Sequence, residues 1–318
     1  MRQPGHGRHV PRAQRGAALL IAMIVLTLVA TLASNMVWQQ WRAVEVEGAE
    51  RARVQAAWLL NGALDWARLI LREDVRGADY IGEPWSLPLA EARLSTFLAV
   101  ERASTSDDGP PAFLSGNIVD AQSRYNLRNL LQADEKLAAL EAKSLGQLCE
   151  ALGLGSGVAE TLRAGLLAAW RGGDPADAVV APRTLSQLRW LGVDSSAIER
   201  LAKLTELLPE PTAVNLNTAP REVLAAVIEG LDLASADRLI QARGRSHFQS
   251  LDDAQAQLPP GAKLDARRVG VTSNYFEVHG RLRLEQRVLN ERSLIQRRAN
   301  REVLTILRER VSTRTDLQ

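Results

Sequence analysis

Residues 17–37, AALLIAMIVLTLVATLASNMV, carry no charged side chain and follow a leader, MRQPGHGRHVPRAQRG, whose Arg2, Arg8, Arg12 and Arg15 have no acidic counterpart. At about 1.5 Å per residue, a helix over this run spans roughly the 30 Å hydrocarbon core of a bilayer. One membrane-spanning segment is therefore expected. The positive-inside rule keeps the arginines cytoplasmic and sends the chain beyond Val37 across the membrane. A secretory signal has a shorter apolar core with small residues after it; here the small residue, Gly16, comes before the run.

The helical pattern continues beyond the apolar run. No proline occurs from Gln39 to Arg76, and Ala49, Ala52, Ala56, Leu59, Ala63, Trp66 and Ile70 recur at alternating spacings of three and four. That is the seam of a helix packed along a partner, and it predicts one helix running from the membrane into a folded part. Gly82, Pro84 and Pro88 close it. Thr96 to Ala103 reads as a short strand, residues 104–111 as a loop, and Gly116 to Leu127 as a further strand.

From Arg128 to about Gly270 helical patterns dominate and repeat. Leu148 to Leu154 matches Val227 to Leu233 in form, and each is followed by a small-residue turn and an amphipathic helix, Val158 to Trp170 and Ala234 to Arg243. Short segments with Leu185 and Leu188, and with Phe248 and Leu251, come next. Two helical hairpins are the expectation. Between them Val214-Asn215-Leu216-Asn217-Thr218-Ala219-Pro220 reads as a helix start, with Thr218 as N-cap, Pro220 in the first turn and Glu222 at the positive helix end. Near the C-terminus Phe276, Val278, Leu282 and Leu284 alternate with Glu277, His279, Arg281, Arg283 and Glu285, a half-buried strand, with a return strand around Arg301 to Arg310.

Enzyme chemistry finds little support. His6 and His9 lie in the leader, leaving His247 and His279 too isolated for a catalytic or zinc cluster, and there is no phosphate loop with a Gly-Lys-Ser/Thr ending. Gly153-Leu-Gly155-Ser-Gly157 is better read as a hairpin turn. Cys149, the only cysteine, sits between Leu148 and Leu152 as a buried structural thiol and excludes an intramolecular disulfide. A net charge of +2 argues against broad nucleic-acid binding.

Arg15-Gly16 followed by Ala17-Ala18-Leu19-Leu20-Ile21 resembles the prepilin-type signal, cut on the cytoplasmic side after Gly, and the competing reading is a plain signal anchor. Together with the VNLNTAP run and the hairpins, this leader resembles the minor pseudopilin K family of type II secretion systems, over nearly the whole chain. The resemblance implies an α+β fold, in which a long N-terminal membrane helix packs on a small antiparallel sheet that is interrupted by an all-α domain of helix-hairpin-helix or SAM-like type. The expected division is leader 1–16, membrane segment 17–37, pilin-like helix and first strands 38–127, inserted helical domain 128–270 and returning strands 271–318. A non-enzymatic subunit at the tip of a secretion pseudopilus is implied, supporting export of folded proteins across the outer membrane.

Further expectations follow from the same resemblance. Processing by a prepilin peptidase, with N-terminal methylation, falls between Gly16 and Ala17. The protein is placed in the bacterial inner membrane with a periplasmic C-terminal part, and its partners are the I- and J-type minor pseudopilins and the major pseudopilin. No cofactor is assigned, but calcium is possible by resemblance; Asp107, Asp108, Glu277 and Glu285 form no recognisable ligand spacing and read as solvated charge. Most pilin-like helices carry Glu at the fifth mature position. Counting from Ala17, that position is Ile21, which the K family also leaves without Glu, and this suits a tip rather than a shaft.

The alternative is a DNA-binding pilin-like protein for DNA uptake, and a third reading is an ordinary bitopic periplasmic domain. A helix-hairpin-helix module holds phosphate on a Gly-x-Gly turn. Glu229-Gly230-Leu231-Asp232-Leu233 offers one glycine between carboxylates, which repel it.

Overall fold

The computed structural model describes residues 13–74, 77–93, 112–171, 180–284 and 287–311. The expected strand at 96–103, the loop at 104–111, and Asp107, Asp108 and Glu285 lie outside them. Two compact units divide at Trp58 and Leu59.

A single helix, α1 (Ala13–Glu73), opens the chain, with Gly16 and Ala17 in its first turns. Its apolar window has a mean hydropathy of 2.5 and nothing in it is buried, so it fits a single-pass membrane anchor. Ile21 is 62% exposed in that window. Thr27 and Thr31 donate their hydroxyls to the carbonyls of Ile24 and Thr27, each at 2.9 Å, which satisfies these two donors without water.

In the second unit the part of α1 from Leu59 lies on a sheet, with a correction to its expected seam. Leu60, Leu64, Ala67 and Leu71 are buried, whereas Trp66 is 51% exposed and Ala63 and Ile70 only border the core. Both stripes satisfy a three-four spacing, one residue apart. Each stripe sets three large apolar residues beside one alanine, so neither spacing nor bulk separates them, and the face the sheet covers is fixed by tertiary packing, with Leu60 seated against Gly280.

The sheet is antiparallel and five-stranded: β1 (Leu89–Arg93) and β2 (Ala112–Asp120) come early in the chain, and β7 (Tyr275–Leu284), β8 (Arg287–Arg297) and β9 (Val303–Val311) come late. The spatial order is β1-β2-β7-β8-β9. β2 and β7 pair from Ala112↔Leu284 to Asp120↔Phe276, so the chain between Asp120 and Tyr275 is inserted between adjacent strands. The sequence pattern does not predict strand β8, because the polar residues Glu291, Ser293 and Arg297 occupy buried positions on one of its faces. Gly116 and Gly280 face each other in this pair: a Cβ on Gly116 would sit 2.5 Å from the His279 carbonyl, and one on Gly280 would sit 3.3 Å from Leu60. The core between helix and sheet includes Leu71, Trp85, Ile118, Phe276 and Ile295.

The inserted chain begins with the short β3 (Tyr125–Asn126) and continues through α2 (Glu135–Ala151), α3 (Ser156–Arg171), α4 (Ser195–Leu201), β4 (Thr205–Glu206), β5 (Val214–Asn215), α5 (Arg221–Val227), α6 (Leu233–Arg245), α7 (Leu251–Gln255) and β6 (Val269–Gly270). The two hairpins are α2–α3 and α5–α6. Asp134 caps α2 by accepting from Lys136 and Leu137 N–H, and Ser250 forms a capping box with Asp253 at α7. Leu185 and Leu188 lie on a 3-10 helix, 185–191, with Leu188 fully buried. Cys149 is buried on α2, and burial pushes its thiol up to about 11. Two-residue parallel pairings, β3 with β4 and β5 with β6, tie each end of the insertion to its middle, residues 205–215.

Candidate functional site

The VNLNTAP run does not work as a helix cap. The N-cap of α5 is Pro220, which makes no side-chain cap bond; Glu222 does lie in the first turn. Thr218 turns away and donates to Asp120 Oδ2 at 2.6 Å. This carboxylate, 2% exposed at the end of β2, draws the hydroxyl as a donor and so aims the side chain away from the helix start.

Asn215 is the centre of the arrangement. Its Nδ2 lies 2.9 Å from Asp120 Oδ2, 3.0 Å from the Asp79 carbonyl and 3.0 Å from Ser273 Oγ, and its Oδ1 accepts from Asn217 N–H at 2.9 Å. Ser273 donates to the same Asp120 oxygen at 2.7 Å, and Gln122 N–H reaches Asp120 Oδ1 at 2.8 Å. Asn217 closes a two-bond pair with the backbone of Phe248, both at 2.9 Å. Residues from α1's following loop, from β2, from the motif and from the entry to β7 thus meet in one buried knot. Val214, Leu216 and Ala219 fill the apolar side. Burial raises the Asp120 carboxyl, while the bonds from Thr218, Ser273, Gln122 and Asn215 pull it back.

From α6, Arg243 donates to the carbonyls of Leu216 at 2.6 Å and Ala219 at 2.7 Å. Burial lowers its guanidinium to about 10, so it stays charged at neutral pH. The hairpin before α6 turns on Gly230, at φ 81°. Asp232 then caps α6, accepting from Ser235 N–H at 2.7 Å. The Asp232 carboxylate thus holds one amide of the helix start where a phosphate would bind and sets a negative charge there, and this weighs against the DNA reading.

A second buried polar group corrects the reading of Glu277 as solvated charge. Its side chain is 2% exposed and pairs with Arg124 and Arg292, which also hold Glu206 of β4 at 2.7 and 3.0 Å. Burial works against ionisation of Glu277, but the contact from His279 and the two guanidinium charges outweigh it and hold the carboxyl well below the usual range. Glu206 is shifted up by burial, with Glu277 adding to the rise. Two cations and two anions thus join the insertion to β7 and β8.

Asp74, Asp79 and Glu83 bring oxygen atoms within 4.8 Å of one another and are the described residues that could hold a metal ion. The chemistry does not fit one. Arg297 places its guanidinium nitrogens 2.7 Å from Asp74 and 2.6 Å from Asp79, and Glu83 Oε2 accepts from Tyr80 N–H at 2.9 Å and Trp85 Nε1–H at 2.7 Å. Burial pushes the Asp79 carboxyl up to about 6 against the pull of Arg297.

None of Asp79, Asp120, Ser273, Arg297, Glu206, Arg124 and Arg292 was singled out from the sequence, since each finds its partners tens to hundreds of residues away. Ile21 and the Gly16–Ala17 junction lie on α1, in the other unit.

A family model described as type II secretion system, protein K matches residues 214–273, starting at the motif. The type II secretion system protein K of Pseudomonas aeruginosa is 27% identical over 94% of this chain and 93% of its own length. That of Pectobacterium carotovorum is 27% identical over 89% and 92%. A chain of the crystal structure of the GspK-GspI-GspJ complex from enterotoxigenic Escherichia coli shares the fold, with TM-score 0.60 and 19% identity over 83% of this chain and 99% of that one.

Proposed function

We propose that this chain, which belongs to the type II secretion system protein K family, is a structural minor pseudopilin at the tip of a secretion pseudopilus and supports export of folded proteins across the outer membrane. Its prepilin leader is removed between Gly16 and Ala17 by a prepilin peptidase, α1 stays in the inner membrane, and the chain beyond it faces the periplasm. Residues 38–127 and 271–318 then form the pilin-like part and 128–270 the inserted domain. Its partners are the I- and J-type minor pseudopilins and the major pseudopilin.

One observation carries the tip assignment. The insertion between β2 and β7 is bound to the sheet by the buried Asn215 knot and the Glu277 group, so it cannot swing aside as a loosely tethered domain would. A large fixed insertion suits an end position better than a repeated lattice. Ile21 supports the same place, because a shaft subunit needs a carboxylate at that depth to pair with a neighbour's N-terminal ammonium.

Co-expression of the full chain with I- and J-type pseudopilins, followed by detergent extraction and size-exclusion chromatography, tests the assignment. A stable complex with one copy of each is expected. Salt-sensitive duplex DNA binding by the full chain, with no such complex, would favour the DNA reading instead.

A further inference from the structure

The carboxylate cluster of Asp74, Asp79 and Glu83 has the hard oxygen atoms that suit calcium, which takes roughly six to eight such ligands at about 2.3–2.6 Å. Its centre is already taken. The Arg297 side chain is only 7% exposed, lies over the Phe276 ring at 5.0 Å and donates to the Ser273 carbonyl at 2.9 Å besides its two carboxylates. A metal ion could enter only by expelling this guanidinium, which would then be a buried cation without a counter-charge. Nor could Glu83 turn toward an ion without breaking its bonds from Tyr80 and Trp85.

We infer that Arg297 is the permanent cation of this cluster, a chain-borne replacement for a divalent ion, so that the junction of α1, the following loop and β8 closes without metal. The substitution has a chemical logic. A guanidinium stays charged at any physiological pH, its planar fork reaches two carboxylates at once, and it cannot be lost when external calcium falls. From the end of β8 it joins Asp74, just past α1, to Asp79, whose carbonyl also binds Asn215. The cation therefore supports the Asn215 knot from beneath. This inference does not rest on the secretion reading.

Thermal melts of the full chain in detergent, in millimolar CaCl2 or in EDTA, test it. The wild-type protein is expected to melt at the same temperature in both. Arg297→Ala should melt roughly 5–15 °C lower in EDTA and recover part of the loss in CaCl2, as the vacated carboxylates accept the ion. R297A/D79N should melt alike in the two buffers. Terbium luminescence sensitised by Trp85, whose ring nitrogen binds Glu83, should appear in R297A and not in the wild-type protein. Should R297A fail to fold, Arg297→Lys keeps a cation in place and should remain indifferent to calcium. A calcium-dependent rise in the wild-type melt that Asp79→Asn abolishes would overturn the inference, as would an R297K protein stabilised by calcium.

Discussion

Asn215→Ala removes the one side chain that touches every strand of the buried knot. The amide carries two hydrogens, so at most two of its three contacts, to Asp120, Ser273 and the Asp79 carbonyl, are full hydrogen bonds at one time; its oxygen holds the Asn217 amide as a third. Each buried partner left unpaired costs roughly 1–3 kcal/mol, with the carboxylate at the upper end. Three such partners sum to about 3–9 kcal/mol, a large share of the roughly 5–15 kcal/mol that holds a folded domain. At roughly 2–4 °C per kcal/mol for a unit of this size, that lowers the melting temperature by at least about 6 °C. Near-ultraviolet circular dichroism of the full chain in detergent would follow the loss of tertiary packing. Asn215→Asp sharpens the test, since it sets a second carboxylate against Asp120. That variant should be at least as unstable at neutral pH and should recover as the pH falls, because a proton shared by the pair removes the repulsion. A melt of N215A within two or three degrees of the wild type would refute the reasoning, as the knot would then contribute under about 1 kcal/mol.

Three further outcomes are expected. Glu277, held low by its two arginines, contributes stability that is present above the ordinary carboxyl range and lost as the pH falls through its folded value, so the advantage of wild type over Glu277→Gln should shrink between neutral and acid denaturation curves. Gly116→Ala should destabilise measurably in urea titration, because the added methyl meets a backbone carbonyl that cannot move without shifting the β2–β7 ladder. Mass spectrometry of the purified protein should find a mature N-terminus at Ala17, and Gly16→Leu should leave the leader attached; a start beyond Val37 would mean a conventional signal peptide.

The sequence made the helices and the paired hairpins legible because each rests on local signals, such as periodicity and glycine turns, whereas the Asp134 and Asp232 caps emerge only in the structure. The interrupted sheet was legible through the strand alternation of residues 276–284. What stayed hidden depends on distant partners. Thr218 has every local qualification for a cap, yet a carboxylate 98 residues away takes its hydroxyl. Glu277 alternates as a solvent-facing strand residue should, but the insertion folds over that end of the sheet and brings Glu206 and Arg124 against it. The seam of α1 was missed by one residue for a related reason, since spacing alone does not say which of two adjacent stripes the sheet will cover.

The central claim is position within the filament. Electron microscopy of pseudopili assembled with a gold-labelled C-terminal tag on this chain tests it most directly. The account predicts one label at one end of each filament. Label repeated at regular intervals along the shaft would contradict it.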